Sequence, residues 1–345
     1  MNQSPPKIFK NPRAQHNFEG RTCSITSVGS YVPSRILTNG ELEKLVDTSD
    51  EWITTRTGIK ERRIAAADEF TSDLAAKAAL RAMESGDISA EQIDLIIIAT
   101  ITPDMPFPST ACLVQQKIGA RRAAAFDIEA ACSGFIFGLE IGQQFIMSRT
   151  YDTVLVIGAE KLSSIVNWKD RNTCVLFGDG AGAAILQHRP DAHGLLTACM
   201  GSDGSKAELL SMPGGGSRCP ATTESLSAGH HHLRMDGKET FKSAVNAMYT
   251  AAQEALRRCE LDITQIKCVI PHQANRRIID AVGERLGITS EQIFVNLEKY
   301  GNTSAASVAI ALDEAVAAGK IHRGDLVLLI VFGAGLTWGA AVIEW

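Results

Sequence analysis

The sequence of 345 residues predicts an α/β protein made of two similar halves. Two observations carry this prediction. Helical patterns and short apolar, strand-like runs alternate along the chain, as they do where helices cover a sheet. In addition, two segment pairs recur in the same order in the two halves, which indicates an internal duplication. The length suffices for two domains or for one large duplicated one.

The first half supplies most of the alternating signals. We predict helices over residues 72–85, which are rich in alanine, and over residues 109–118, which follow Pro108. Uninterrupted apolar runs are typical of strands buried on both faces, so we expect a mostly parallel sheet core. These predicted strands are residues 93–100, 123–128, 154–157 and 175–177.

Two segment pairs carry the duplication. In one pair a helix end leads into an apolar strand and then into a polar loop that contains proline. In the other pair a glycine-rich run leads into an apolar strand. The pairs are residues 89–98 with 262–270, and residues 177–185 with 332–343.

The chain is therefore expected to have three parts. Residues 1–20 are polar and are interpreted as a flexible N-terminal tail, with a short transit peptide as the alternative. The first half, residues 21–190, carries the candidate nucleophile, and the second half, residues 191–345, carries candidate His and Asn residues. Within the second half, residues 201–237 are rich in Gly, Ser and Pro. We interpret them as a surface loop, or alternatively as a cover over the active site.

Composition excludes several classes of function. The formal net charge is −5, so the molecule as a whole is not expected to bind nucleic acid. The apolar runs are far shorter than the ~20 residues that cross a bilayer, so no membrane partner is expected. The eight cysteines form no CxxC pair and no metal-ligand pattern with histidine. These features predict a cytoplasmic protein with reduced thiols and no bound metal.

Cys132 is the strongest candidate for chemistry. It follows the predicted strand at residues 123–128 and precedes a long apolar helical pattern, so it lies where a strand turns into a helix. The free N–H groups at a helix start stabilise a thiolate, and we therefore expect a lowered thiol pKa and a nucleophilic sulfur. The other cysteines are interpreted as small buried residues, with Cys219 in the loop as the exception.

Two polar segments in the second half complete the candidate site. His272 comes directly after an apolar strand-like run, at the edge where α/β sheets bind ligands, and Asn275 follows it. Asn302 lies in the turn at residues 300–304 and taken alone is an ordinary turn residue. A glycine-rich run around Ala334 lacks the spacing of a nucleotide loop, and we interpret its glycines as backbone that passes close to a reacting group.

A further candidate is Trp52, which lies near Arg56, Lys60, Arg62 and Arg63. An indole ring beside a basic cluster suits an adenine ring with phosphates nearby. The alternative interpretation is a half-buried tryptophan on a surface helix.

Six motifs together resemble the β-ketoacyl-acyl-carrier-protein synthase III family of the thiolase superfamily, over nearly everything from Thr22 to Trp345. The resemblance implies a thiolase-like, five-layered α-β-α-β-α fold from two duplicated halves, and a homodimer. The motifs are residues 48–58, 130–134, 177–182, 272–275, 300–304 and 335–339.

The resemblance also implies a role for each candidate residue. Cys132 would be the acylated nucleophile, and His272 and Asn302 would complete its triad. The adenine of coenzyme A would lie between the side chains of Trp52 and Arg171. Arg56 and Asn275 would contact the rest of the coenzyme A molecule.

Three more roles follow from the resemblance. Phe107 would reach across the dimer to close the acyl pocket, and Arg277 would lie in the basic patch that docks acyl carrier protein. The backbone N–H groups of Cys132 and of the segment at Ala334 would hold the oxyanion. Where this chain has Ala334 the family often has glycine, and the tail and residues 214–232 are longer than usual.

The implied reaction is a decarboxylative Claisen condensation that initiates fatty acid synthesis. A short acyl-CoA primer, expected to be acetyl-CoA, would condense with malonyl-acyl carrier protein to give 3-oxoacyl-acyl carrier protein. Coenzyme A enters as a thioester substrate, and no cofactor is expected.

Three alternatives stay open at this point. One is a related condensing enzyme of secondary metabolism. The second is a hydroxymethylglutaryl-CoA-synthase-like enzyme, which needs a carboxylate base for which the sequence offers no clear candidate. The third is an inactive scaffold or acyl-carrier-binding protein.

Overall fold

The structure is a computed structural model that describes residues 21–190 and 194–345. The predicted tail at residues 1–20 lies outside the described residues, as does part of the boundary between the predicted halves. The strands are β1 (Ser24–Tyr31), β2 (Arg35–Thr38), β3 (Glu61–Ile64), β4 (Leu95–Ala99), β5 (Ala124–Ile128), β6 (Thr153–Glu160), β7 (Gly180–Gln187), β8 (Leu195–Ser202), β9 (Leu210–Ser211), β10 (Arg234–Met235), β11 (Cys268–Pro271), β12 (Leu326–Gly333) and β13 (Thr337–Glu344).

The helices lie between these strands. They are α1 (Asn39–Leu42), α2 (Asp50–Thr57), α3 (Thr71–Gly86), α4 (Thr110–Ile118), α5 (Gly134–Met147), α6 (Arg171–Cys174), α7 (Thr223–Ser227), α8 (Gly237–Arg258), α9 (Arg276–Leu286), α10 (Leu297–Tyr300) and α11 (Ala306–Ala317). Within the described ranges, no helix is both long enough and apolar enough to cross a membrane.

The elements form five layers. Helices α3 and α4 cover the outer face of a sheet of order β1-β7-β6-β4-β5, and α8 covers the outer face of a second sheet of order β11-β12-β13-β8, with α9 packed on α8. Helices α5 and α11 lie between the two sheets, because each contacts strands of both. This arrangement confirms the predicted α-β-α-β-α fold.

The strand order repeats between the sheets. Four neighbouring strands of the first sheet, in the order β1-β7-β6-β4, correspond to the strands β8-β13-β12-β11 of the second sheet. In both sheets the first two neighbouring pairs are antiparallel and the third pair is parallel. The turns that lead into β4 and β11 are also alike, since both are short 3₁₀ turns with capping boxes, at Ser89 and Asp262. The duplicated segments of the sequence therefore occupy equivalent places in the two sheets.

The prediction of a mostly parallel core was wrong. Strands β4–β5, β4–β6 and β11–β12 pair in parallel, and the other pairs of the two sheets are antiparallel. The reason is clearest at β12 and β13. Only three residues connect these strands, whereas a parallel pair needs a crossover of about a dozen residues or more.

The strand predicted at residues 175–177 is also absent. The chain leaves α6 in a turn, and Phe177 makes only an isolated bridge to Asn302. The run is apolar because its side chains are buried, and its backbone is used elsewhere, since the Val175 carbonyl accepts a hydrogen bond from the buried Arg62 guanidinium at 2.7 Å.

Candidate active site

Cys132 lies in a tight turn between the end of β5 and the start of α5. The residue before it, Ala131, has a φ of 46°, a left-handed conformation that non-glycine residues rarely adopt. Two glycines let the backbone pack closely here: a Cβ on Gly134 would lie 2.6 Å from Ala99, and one on Gly333 would lie 2.7 Å from the Cys132 nitrogen. The turn therefore presents a buried thiol directly against the end of β12.

The predicted lowering of the Cys132 pKa is wrong. Burial raises the pKa of this thiol to about 12, and the nearby Glu160 carboxylate acts in the same direction. The backbone N–H of Cys132 and the Ser304 hydroxyl favour the ionised sulfur, as the helix-start argument expects, but they are outweighed. The Cys132 side chain is therefore a thiol, which would have to lose its proton before the sulfur could act as a nucleophile.

His272 directly follows β11 and is buried. Its Nδ1 lies 3.0 Å from the Ser307 hydroxyl oxygen, which also accepts a hydrogen bond from the Gln273 backbone N–H at 2.8 Å. Burial lowers the pKa of the imidazole to about 4, so the ring is neutral at neutral pH. Because Ser307 occupies Nδ1, Nε2 is the ring nitrogen available for other contacts.

Asn302 is positioned through its backbone and through one side-chain atom. Its N–H donates to the Leu176 carbonyl at 2.8 Å, and its own carbonyl accepts from the Gly178 N–H at 3.0 Å. The side-chain oxygen accepts from the Ser304 N–H at 2.8 Å. With the oxygen held in this way, the side-chain NH₂ group is the part of Asn302 that is available as a donor.

One cavity of about 130 Å³ brings the predicted catalytic side chains together. Cys132, His272 and Asn302 all line it, together with Asn275 and Gly333. They come from four separate places in the fold: the β5–α5 turn, the ends of β11 and β12, and the turn after α10. The arrangement supplies a nucleophile, a neutral imidazole and an amide donor around one small space.

A second, larger cavity of about 620 Å³ also reaches Cys132. Its lining includes apolar side chains such as Ile101, Leu162 and Met212, and it also includes Ala334. Residues from the region 201–237 form part of its wall, as the interpretation of that region as a cover expected. Cys132 thus lies between two cavities of different size.

The turn between β12 and β13 closes over the nucleophile. The Thr337 hydroxyl lies 2.9 Å from the Ala130 carbonyl oxygen and 3.0 Å from the Ala334 carbonyl oxygen, which ties this turn to the backbone before Cys132. Gly333 passes so close to Cys132 that no side chain would fit. The glycines of this run therefore serve close backbone approach rather than phosphate binding.

The predicted adenine-binding side chains also meet. Trp52 is half-buried on α2, and the guanidinium carbons of Arg56 and Arg171 lie 4.8 Å and 5.1 Å from the centre of its ring. Arg171 donates a hydrogen bond to the Asp47 carbonyl at 2.8 Å. Helix α2 packs against α9, which begins after Asn275, a residue that lines the smaller cavity.

Arg277 lies at the outer side of the same region. It is exposed at the start of α9, with its guanidinium carbon 5.9 Å from the centre of the Phe241 ring, and Phe241 lines the smaller cavity. Its neighbour Arg276 differs, because its guanidinium pairs with Asp280 at 2.7 Å. Among the described residues, only Arg276 of these two arginines forms a salt bridge, while Arg277 lies near an aromatic ring that lines the smaller cavity.

Phe107 is not brought to the site of its own chain. Its side chain is 84% exposed and lines neither cavity, although the neighbouring Pro103 and Pro106 line the larger one. A large aromatic side chain exposed to this degree is available to a second molecule.

Three side chains near Cys132 escaped the sequence reasoning. Ser304 and Ser307 contact Cys132 and His272 respectively, and Glu160 is fully buried behind Ser304. Ser304 lies in the motif at residues 300–304, but the resemblance assigned it no role. Glu160 had one usable signal, since it is a carboxylate at the end of an eight-residue strand that is otherwise apolar or small.

Comparisons with known proteins agree on one family. A model described as 3-oxoacyl-[acyl-carrier-protein] synthase III matches residues 126–204, and the model of its C-terminal part matches residues 256–345. A β-ketoacyl-[acyl-carrier-protein] synthase III of Caldanaerobacter subterraneus subsp. tengcongensis is 58% identical over 93% of this chain and 97% of its own length.

Solved structures give the same result. The 3-oxoacyl-[acyl-carrier-protein] synthase III of Aquifex aeolicus is 50% identical, with a TM-score of 0.87 over 94% of this chain and all of its own. The priming β-ketosynthase from the R1128 polyketide pathway is 36% identical, with a TM-score of 0.88 over 94% of this chain and 97% of its own. The polyketide-pathway relative is thus less similar in sequence than the Caldanaerobacter and Aquifex relatives.

Proposed function

This chain belongs to the β-ketoacyl-[acyl-carrier-protein] synthase III family, and on that premise we propose how its residues carry out the family's reaction. The enzyme is an acyltransferase that condenses a short acyl-CoA with malonyl-acyl carrier protein and so initiates fatty acid synthesis. The alternative in secondary metabolism is not favoured by the relatives. The observation that carries the assignment of residues is the single cavity shared by Cys132, His272 and Asn302.

In the first half-reaction the Cys132 sulfur attacks the acyl-CoA carbonyl, and coenzyme A leaves. The N–H groups of Cys132 and of the Ala334 segment hold the oxyanion of the tetrahedral intermediate. The acyl group then occupies the larger cavity, while the coenzyme A arm lies in the smaller cavity, where Asn275 contacts it. Two observations support this division: Cys132 lines both cavities, and helix α2, which carries Trp52, packs against the helix that begins after Asn275.

In the second half-reaction the malonyl group loses CO₂, and an enolate develops on the thioester oxygen. His272 donates to that oxygen from Nε2, and Asn302 donates from its side-chain NH₂. Ser307 supports this role, because a hydroxyl that accepts from the Gln273 N–H can give its own proton to Nδ1 and leave the ring proton on Nε2. The carbon of the enolate then attacks the acyl-Cys132 thioester.

A two-step mass measurement tests the function. The enzyme is first incubated with acetyl-CoA alone, and intact mass is expected to show one acetyl group, which peptide mapping locates on Cys132. Malonyl-acyl carrier protein is then added, and 3-oxoacyl-acyl carrier protein is expected with loss of the acetyl group from the enzyme. An enzyme that takes up no acyl group from acetyl-CoA or from longer acyl-CoA thioesters would contradict the assignment.

The adenine of coenzyme A is assigned to the cluster of Trp52, Arg56 and Arg171. Trp52→Ala is expected to raise KM for acetyl-CoA with little change in kcat, because adenine is remote from the reacting carbonyl and stacking contributes about equally to the ground and transition states. Steady-state kinetics with acetyl-CoA as the varied substrate measures this. An unchanged KM would remove Trp52 from the site.

Arg277 is assigned to docking of the acidic carrier protein, since the chain itself is net negative and a local cation must make the contact. Arg277→Glu is expected to lower kcat/KM for malonyl-acyl carrier protein, most strongly at low salt, because reversing a rim charge mainly slows association. Self-acylation by acetyl-CoA is expected to stay near the wild-type rate.

Arg276→Glu is the matched control for this charge reversal. It makes the same change one residue away, at an arginine whose charge is already paired with Asp280. Equal losses in the two variants would indicate a general effect of charge, and no loss in Arg277→Glu at low salt would move the docking surface elsewhere.

The homodimer is also part of the proposal. The exposed Phe107 side chain lies beside two prolines of its own larger cavity, so a partner placed there would insert its Phe107 near the acyl group. Strand β5 is the outer strand of its sheet within the chain, which leaves an edge for the partner's equivalent strand. The cytoplasmic location stays a prediction.

A further inference from the structure

The proposed reaction leaves one proton without an acceptor. Cys132 is a thiol in the resting enzyme, since burial raises its pKa to about 12, yet the sulfur must attack as a thiolate. His272 is poorly suited to take the proton, because its pKa is lowered to about 4 and its contact with Ser307 directs the ring proton to Nε2. The acceptor must therefore lie elsewhere around the sulfur.

Glu160 is a buried carboxyl group next to this site that the mechanism does not yet use. It ends β6 and has no exposed surface. Its two oxygens accept hydrogen bonds from the Thr102 hydroxyl at 2.6 Å, the Thr100 hydroxyl at 3.2 Å and the Ile101 N–H at 3.1 and 3.2 Å. Among the described residues, no salt bridge neutralises this carboxylate. Burial without a neutralising cation favours the protonated form of a carboxyl group, so Glu160 can hold a proton.

The two threonine hydroxyls have their protons committed to Glu160. The Thr102 hydroxyl accepts from the Lys161 N–H at 2.9 Å, and the Thr100 hydroxyl accepts from the Thr102 N–H at 3.1 Å, so each is oriented to donate to the carboxylate. These threonines therefore fix the carboxylate but give it no path to the sulfur.

Ser304 supplies that path. Its hydroxyl donates to Glu160 at 3.0 Å, and Ser304 and Cys132 line the same larger cavity, where this hydroxyl favours the ionised sulfur. A hydroxyl can accept one proton while it donates another, so it can pass a proton between two partners. The backbone of Ser304 has a φ of 48°, and its N–H donates to the Asn302 side-chain oxygen, which holds the residue in place beside this cavity.

We propose that Glu160, acting through Ser304, accepts the proton of the Cys132 thiol during acyl transfer and returns it when the condensation product leaves. The inference rests on the proposed function for its second step only. Because Glu160 acts through Ser304 and does not touch substrate, it is a positioning residue that also stores the proton.

The protons balance over the two half-reactions. In the first, the S–H bond of Cys132 breaks, its proton moves to Ser304 while the Ser304 proton moves to Glu160, and the departing CoA thiolate takes a proton from solvent. In the second, the enolate carbon displaces the Cys132 thiolate from the acyl group, and Glu160 returns its proton through Ser304. The cycle consumes one solvent proton, as a reaction that converts a carboxylate to CO₂ must.

The other charged groups around Glu160 do not compete for this role. The Lys161 ammonium points away and donates to the Ala66 carbonyl at 2.8 Å and to the Glu69 carbonyl. The Asp179 carboxylate is held by Ser163 and by the Ala65 N–H at 2.8 Å. Cys132 is the titratable group that faces Glu160 across Ser304, and burial raises the pKa of Glu160 to about 7, within reach of either protonation state.

Alkylation of Cys132 by iodoacetamide tests the first step without any natural substrate. The rate is measured by peptide mass against pH, with the exposed Cys112 in the same samples as an internal control. In the wild type the Cys132 rate is expected to rise as Glu160 ionises, around pH 7. In Glu160→Gln the rate at about pH 7.5 is expected to fall roughly 10²–10⁴-fold, the usual contribution of a positioned proton acceptor, and the rise around pH 7 to disappear.

The sign of this change separates proton transfer from simple electrostatics. The ionised Glu160 raises the pKa of the Cys132 thiol, so removal of its charge alone favours the thiolate and predicts faster alkylation in Glu160→Gln. Slower alkylation of Cys132 with unchanged alkylation of Cys112 supports the proposal. Faster or unchanged alkylation of Cys132 overturns it.

Three further variants serve as controls for the Glu160→Gln result. Glu160→Asp keeps a carboxyl group and is expected to recover part of the rate and the rise around pH 7. Ser304→Ala removes the path together with a hydroxyl that favours the thiolate, so it is expected both to slow Cys132 and to abolish the rise around pH 7. The loss of that rise carries the test if Glu160→Gln fails to fold, because a lost hydrogen bond alone would leave the rise in place. Asp179→Asn removes another fully buried carboxyl, and equal slowing there would overturn the proposal.

The failure of this inference is distinguishable from failure of the proposed function. If the wild type acylates and condenses while Glu160→Gln alkylates at the wild-type rate, the function stands and the proton path is wrong. If the wild type takes up no acyl group while the alkylation results hold, the path stands and the function is wrong.

Discussion

Replacing Cys132 with alanine is expected to abolish both acyl uptake from acetyl-CoA and formation of 3-oxoacyl-acyl carrier protein. Among the described residues, no other one that lines the two cavities has a thiol, which is the strongest nucleophile that a neutral side chain offers. Decarboxylation of malonyl-acyl carrier protein is expected to continue, because the donors that stabilise the enolate belong to His272 and Asn302. Intact mass measures the first effect, and release of CO₂ measures the second.

Cys259→Ala is the matched control for the alanine substitution. Cys259 is half-buried at the end of α8, on the outer layer of the second sheet, and lines neither cavity. Its loss should leave acyl uptake unchanged. A Cys132→Ala enzyme that still takes up an acyl group at a comparable rate would show that the nucleophile is another residue.

The magnitudes of two opposing effects explain why the expected lowering of the Cys132 pKa was wrong. A helix start contributes about 0.3–1 kcal/mol to a charge at its end, and up to ~2 kcal/mol when partly buried. Burial raises the Cys132 pKa from 9.0 to about 12, which corresponds to about 4 kcal/mol against the thiolate. The sequence shows the turn that creates the first effect, but the depth of burial depends on β12 and on the turn after α10, far along the chain.

The predictable part of the fold is the part set by local patterns. The alanine-rich segment forms α3, and the apolar runs at residues 93–100 and 123–128 form β4 and β5. The direction of pairing was not predictable from those runs, because a buried strand has the same composition in either direction. The direction depends on the length of the connections. Residues 334–336, which connect β12 to β13, are too few for the crossover that a parallel pair needs.

The candidate site divides in a similar way. Cys132, His272, Asn302 and Trp52 lie in short motifs with a recognisable chemistry, so they could be named in advance. Glu160 and Ser307 lie in a strand and in a helix, and each gains its role only from a partner 144 or 35 residues away. Sequence periodicity reports which residues are buried, and it does not report which buried polar groups meet.

The neutral state of His272 determines what its loss should do. With a pKa lowered to about 4, the imidazole gains its proton only as the pH falls toward that value, so above about pH 5 the ring is neutral and its donor does not titrate. Asn302 does not titrate at all. Decarboxylation by the wild type is therefore expected to show no change between about pH 6 and pH 8 that arises from either donor, in contrast to the rise around pH 7 expected for Cys132.

His272→Ala and Asn302→Ala should each slow decarboxylation of malonyl-acyl carrier protein by roughly 10²–10³-fold, the usual loss for one preorganised oxyanion donor. Acyl transfer from acetyl-CoA to Cys132 should suffer much less, most clearly for Asn302→Ala, because the oxyanion of that step is held by backbone N–H groups. Both half-reactions are followed in each variant, by CO₂ release and by intact mass. The ratio of the two losses is the decisive quantity, since equal losses would mean that these side chains act on the nucleophile. A loss confined to decarboxylation would mean that these side chains donate their hydrogen bonds to the enolate oxygen. A neutral donor suits this role because it keeps its proton throughout the turnover.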